Sequence, residues 1–128
     1  MKKKIICTEK APAAIGPYAQ GIAFENLVIT SGQLPIDPAT GAFASSDIEG
    51  QTRQSLTNIK NILEAAGSSM ENVMKTTVFL SDMNNFSAMN QVYGEFFQEG
   101  AYPARSAVEV ARLPKDALVE IEAIAIKN

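Results

Sequence analysis

The sequence predicts an α+β domain spanning residues 1–128, with the element order β-β-β-α-β-α-β-β. Three observations carry this. Two stretches, 47–66 and 82–98, repeat apolar residues at spacings of three and four, the signature of helices with one buried face. The run VMKTTVFL at 73–80 is rich in β-branched residues and reads as a central strand. The segment from Pro103 to Glu122 alternates with period two and is broken once, at Pro114. Helices set apart along the chain from a mostly antiparallel sheet are expected on one face of it.

Taken in order, Lys4 to Thr8 reads as a first strand. Ala11 to Ala19, punctuated by Pro and Gly, reads as an ordered loop. Gln20–Phe24 and Leu27–Ser31 form two strands around a tight turn at Glu25-Asn26. Gly32 to Ser46 is a second loop, with turn signals at Asp37-Pro38 and Thr40-Gly41. Asp47 is the N-cap of the first helix and Gly67 its stop. Asp82 or Asn84 caps a second helix that runs to about Gln98, with Phe86, Met89, Val92, Tyr93, Phe96 and Phe97 on its buried stripe. No repeat, low-complexity segment or linker interrupts this order.

Composition removes whole classes of chemistry. With 11 basic and 14 acidic residues the net charge is −3, so the basic footprint of a nucleic-acid binder is missing. Histidine is absent and Cys7 is the only cysteine, which excludes His-based triads, Cys/His zinc sites and iron–sulfur clusters. A carboxylate-only magnesium or calcium site stays open, though no D-x-D-x-D-G run is present. One cysteine permits no internal disulfide, which suits a reducing compartment. The basic start MKKKIIC is followed by too short an apolar run for a signal peptide, and no stretch is long enough to span a membrane. A cytoplasmic protein is expected.

The alternating segment reads as a hairpin. Arg105–Leu113 and Leu118–Ile126 flank a turn at Pro114–Ala117, which pairs Val108 with Ala123, Val110 with Ile121 and Arg112 with Val119. That apolar face is expected against the helices. The other face would carry Arg105, Ala107 and Glu109 beside Leu118, Glu120 and Glu122, a mixture suited to binding a small acid. In this register Arg105 and Glu120 of one chain stand roughly 20 Å apart, so a shared site would lie between subunits.

Each candidate has two readings. Arg105 is a surface cation paired with a neighbouring carboxylate, or a bidentate clamp on a substrate carboxylate. Glu120 and Glu122 belong to a solvated face, or the apolar residues beside them raise a carboxylate pKa as general acid–base work requires. Tyr18 is filler or site residue. Ser31-Gly32 serves turn geometry, or lets a backbone approach a ligand. Asn90, on the helix stripe, is structural glue or a site group.

The stretches APAAIGPYAQG (11–21), SGQLP (31–35) and PARSAVEVARLPKDALVEIEAIA (103–125) together resemble the Rid (YjgF-type) imine deaminases, RidA subgroup. The resemblance covers essentially the whole chain. It implies a chorismate-mutase-like fold, a homotrimer with clefts between subunits, and hydrolysis of 2-iminobutanoate and 2-iminopropanoate to 2-oxo acids and ammonia. It implies no cofactor, and a functional link to the pyridoxal-phosphate dehydratases that release such imines. Arg105, Glu120 and Tyr18 would be the catalytic group, with Arg105 on the substrate carboxylate and Glu120 handling water. The backbones of Gly32 and Ala107 would hold the ligand, and Ser31, Asn90 and Tyr18 would line the cleft. Many relatives carry cysteine where this chain has Ala107, so thiol chemistry is not implied here. The competing function is a regulatory module that binds RNA or small carboxylates, translation-inhibitor or ribonuclease-like, without deaminase activity.

Overall fold

The computed structural model describes residues 2–128. Its elements are β1 (Lys4–Ile6), β2 (Gly21–Phe24), β3 (Leu27–Thr30), α1 (Ile48–Ala65), β4 (Val73–Leu80), α2 (Phe86–Gly94), β5 (Ala104–Glu109) and β6 (Val119–Ile126). The order and the α+β class are those the sequence predicts. The α2 helix is shorter than expected. Asp82 accepts a hydrogen bond from the Asn84 N–H and caps a 3-10 turn, Met83–Asn85, which leads into α2. Asp47 caps α1 as expected, accepting from the Gly50 N–H at 2.7 Å.

All eight strand and helix segments serve one six-stranded sheet in the order β1-β2-β3-β6-β4-β5. Every pairing is antiparallel except β4 with β5, which is parallel. The predicted hairpin does not form. β5 and β6 flank β4 on opposite sides, and residues 110–118 pass over the end of β4 between them. The Val110 N–H donates to the Leu80 carbonyl and the Ser81 N–H to the Leu118 carbonyl, which ties that passage down. Lys115 and Asp116, the expected turn centre, do turn the chain, both with positive φ (56° and 58°). The physical reason is the demand of β4 for two neighbours. Its β-branched residues suit a central strand, and from Lys75 to Leu80 it is paired on both edges, which satisfies the backbone groups of that span. A parallel neighbour needs a crossover connection, and α2 supplies it.

The register decides the faces. Val119, Ile121, Ala123 and Ala125 of β6 are buried, with Val78 and Leu80 of β4, against Leu56, Ile59, Ile62 and Leu63 of α1 and Met89 of α2. Thr76 pairs with both Ala123 and Arg105, so Arg105 and Ala107 face the helices. Phe79 pairs with both Glu120 and Val108, so Glu120 and Glu122 face the other way. The grouping of Arg105 with Glu120 on one face is therefore corrected, as is the placing of Val108 in the core; Val108 is exposed on the helix-free face. The Glu109 carboxylate accepts from the Met83 N–H at 2.7 Å.

Polar side chains fix the long loops. The buried Gln20 amide accepts from the Thr8 N–H (2.7 Å) and donates to the carbonyls of Thr8, Ala11 and Pro12 (2.9, 3.2 and 2.8 Å). Asn58, fully buried on α1, donates to the carbonyls of Leu34 and Ile36 at 3.1 and 2.9 Å and accepts from Gln54. No helix among the described residues is long and apolar enough to cross a membrane. Asn58→Ala removes three hydrogen bonds of a fully buried amide, two of them to the Leu34 and Ile36 carbonyls, and should cost about 2 kcal/mol in a urea unfolding experiment, with the slope unchanged.

Candidate active site

Two groups of candidate residues sit on opposite faces of the sheet. On the helix-free face the β3–β6 register slips by one residue between the pairs Ile29–Ile124 and Gln33–Ile121. Thr30 Oγ1 accepts from the Ala123 N–H at 3.1 Å inside that irregularity. Such a bulge bends the strand and redirects its side chains. Ser31 and Gly32 lie within it. The Ser31 hydroxyl donates to the Ala19 carbonyl at 2.6 Å and its N–H to the Gln20 carbonyl at 2.9 Å, which fastens the strand end to the loop bearing Tyr18. Tyr18, half exposed, and Ser31 border a cavity of about 900 Å³ with Ile5, Ile22 and Ile29.

Glu120 packs directly over Gly32. A Cβ at position 32 would lie 2.5 Å from Glu120 Oε2, so glycine is required there for close approach, whatever the backbone angles. Glu120 is half-buried, and this desolvation pushes its carboxyl above the usual range, with the charge of Glu122 adding to the effect. Tyr18, Ser31, Gly32 and Glu120 are thus brought together within one chain.

On the helix side, Arg105 projects from the edge strand β5 toward α2. Its Nη1 donates to Asn90 Oδ1 at 2.7 Å, which settles Asn90 as a partner of Arg105. Asn90 is exposed, a correction to its place on the buried stripe. The guanidinium carbon lies 4.7 Å from the Tyr93 ring centre and 5.4 Å from that of Phe86. Burial pushes the Tyr93 phenol up, while its hydrogen bond to Thr76 and the Arg105 charge pull it back. Tyr102 and Pro103 close a hollow of about 430 Å³ beside Arg105. Among the described residues no carboxylate pairs with Arg105; the ion pairs are Arg53–Glu95, Lys60–Glu64 and Arg112–Asp116. Ala107 sits two residues further along the same edge strand, partly packed on the core.

Arg105 and Glu120 are separated by β4. Three residues along that strand and two strand spacings across put their Cα atoms roughly 14 Å apart, with side chains diverging. One chain therefore does not bring them to one small molecule, as expected, although the cause is the face each occupies rather than their distance along a hairpin. Periodicity places Phe86 and Tyr93 on the buried stripe of the second helix, and nothing in the sequence marks Thr76 as a neighbour of the site. The signal that could have found them is the spacing of Phe86, Asn90 and Tyr93 at i, i+4 and i+7, one face of α2. No group of three or more metal-ligating side chains is assembled among the described residues.

The Endoribonuclease L-PSP family profile matches residues 8–127. The chain belongs to this family, the YjgF/Rid group. A 2-iminobutanoate/2-iminopropanoate deaminase of Salmonella typhimurium is 57% identical over 127 residues, covering 98% of each protein. The crystal structure of the YjgF gene product from E. coli superposes with TM-score 0.93 at 55% identity, covering 98% of this chain and 99% of that one. E. coli TdcF, solved with bound serine, gives 0.92 at 49% identity, with 98% and 99% coverage. The α+β architecture of the family is the one described above. Within this family fold, Gly32→Ala should swing the flexible Glu120 side chain away while leaving the thermal midpoint within about 2 °C of wild type, and any activity that uses Glu120 should fall at least tenfold.

Proposed function

We propose that this chain is a hydrolytic deaminase that converts 2-imino acids, 2-iminobutanoate and 2-iminopropanoate among them, to 2-oxo acids and ammonia. It acts as one domain over residues 1–128, in a cytoplasmic homotrimer whose clefts join Arg105 of one subunit to Glu120 of the next. The observation that carries this is a half-buried guanidinium with no acidic partner among the described residues, held on the face opposite a carboxylate of raised pKa. Phe24, Leu27, Ile29, Ile124 and Ile126 leave the helix-free face apolar and exposed, which favours covering by neighbouring copies. The relative with bound serine supports an amino-acid-sized ligand, since serine carries the same α-carboxylate and α-nitrogen as an imino acid.

Arg105 grips the carboxylate through two parallel N–H donors and fixes the imine carbon in the cleft. Glu120 takes a proton from water as its oxygen bonds to that carbon, and the C=N π electrons move onto nitrogen. The proton passes to nitrogen to give a carbinolamine; the carbinolamine hydroxyl then gives its own proton to the same nitrogen through Glu120, the C–N bond breaks as the C=O forms, and the oxo acid and ammonia leave. Tyr18 and Ser31 border the reacting atoms, and the Gly32 and Ala107 backbones offer N–H donors. Pyridoxal-phosphate dehydratases, which release such imines, are the proposed source of substrate.

Release of 2-oxobutanoate, followed while a threonine dehydratase generates the imine, tests the assignment, with RNA degradation measured in parallel. Arg105→Ala should abolish the acceleration with fold and assembly intact; turnover like wild type defeats its role. Glu120→Gln should keep binding and lose turnover, and RNA cleavage without imine hydrolysis would favour the competing function. The wild-type rate should fall as pH drops through the raised Glu120 pKa, because the base must be ionised. Stability should move the opposite way. A carboxyl whose pKa is raised by folding contributes less as pH climbs through the window between its unfolded and folded values, and Glu120→Gln should remove that slope. A stable, fully active monomer in sedimentation would overturn the intersubunit site.

A further inference from the structure

The environment of Arg105 has a property that catalysis by Glu120 does not explain. A guanidinium half-withdrawn from water would ordinarily recruit an acidic neighbour. Here its recorded contacts are all neutral: the Asn90 amide oxygen at 2.7 Å, the Tyr93 ring at 4.7 Å and the Phe86 ring at 5.4 Å. The three come from successive turns of α2, and Tyr93 is anchored in turn. Its hydroxyl is 2.7 Å from Thr76 Oγ1, with both residues nearly fully buried. Thr76 is the β4 residue paired with Arg105 itself. The ring that cradles the side chain is thereby tied to the strand neighbour of that side chain's own backbone.

We propose that Phe86, Tyr93 and Thr76 are positioning residues for the substrate carboxylate. They hold the guanidinium plane with uncharged partners, so that the cation is oriented yet not neutralised. An acidic partner in the same place would orient Arg105 equally well but would compete with every incoming anion. Aromatic faces attract the cation without occupying its in-plane donors. Asn90 uses one of five N–H groups, which leaves a two-donor edge for a planar carboxylate. This rests on the carboxylate-clamp role of Arg105 proposed above.

The test uses the full assembled protein, with 2-oxobutanoate binding measured by calorimetry beside steady-state kinetics on the imine. Tyr93→Leu and Phe86→Leu should each weaken 2-oxobutanoate binding and raise KM about tenfold, with kcat changed less than threefold. Tyr93→Phe, which keeps the ring but not the bond to Thr76, should lie between Tyr93→Leu and wild type. Asn90→Asp, at an exposed position that endangers no core, should weaken binding at least tenfold, and added salt should partly restore it by screening the new pair. Wild-type affinity in Asn90→Asp, or a loss confined to kcat in the aromatic variants, overturns the proposal. If wild type binds 2-oxobutanoate and the variants lose it while no imine is hydrolysed, the positioning role stands and the deaminase assignment falls.

Discussion

The fold turns on the pairing of β4 with two different neighbours. Because Thr76 and Phe79 stand three residues apart on β4, their side chains point to opposite faces and sort their partners on β5 and β6 onto opposite sides of the sheet. A single β-strand thereby separates the cation from the carboxylate. Had β5 and β6 formed a hairpin, both charges would have shared one surface, still roughly 20 Å apart. Keeping them apart preserves, within one polypeptide, a half-buried carboxylate and an arginine that no carboxylate among the described residues pairs with.

The two groups of residues solve opposite electrostatic problems. Glu120 is made less acidic by desolvation and by a like charge, both of which favour its neutral form and bring its proton affinity toward the range useful for shuttling. The uncharged neighbours of Arg105 act instead on the orientation and solvation of its guanidinium. Gly32 serves the first by leaving room for the carboxylate; α2 serves the second by presenting two rings and an amide. Neither arrangement calls on histidine, of which the chain has none.

Much of this was written in local patterns. Asp47 and the stripe through Leu56, Ile59, Ile62 and Leu63 specify α1 by cap and periodicity, both short-range effects. The strand Val73–Leu80 falls where its β-branched run places it. Tyr18, Ser31, Gly32 and Glu120 could be picked out, and so could Arg105 and Asn90, from residue type and the family pattern. What stayed hidden is long-range. A period of two says which residues share a face but not which strand lies alongside, so Arg105–Leu113 was given β6 as its neighbour when β4 is the one it has. That misassignment put Arg105 on the wrong face and hid its contacts with Phe86 and Tyr93, since an aromatic stripe looks the same in sequence whether it fills a core or cradles a cation. Glu109 likewise gained its role only when the 3-10 turn at Met83 came beside it.

The carboxamide of Gln20 has a kinetic implication. Four backbone groups of the segment before Tyr18 already find their partners in that single amide, and the Ser31 hydroxyl secures its far end at Ala19. A loop satisfied in this way spends little conformational entropy when a ligand arrives. Whatever molecule meets this segment finds the backbone from Thr8 to Pro12 already ordered, so that part of the encounter is docking rather than folding.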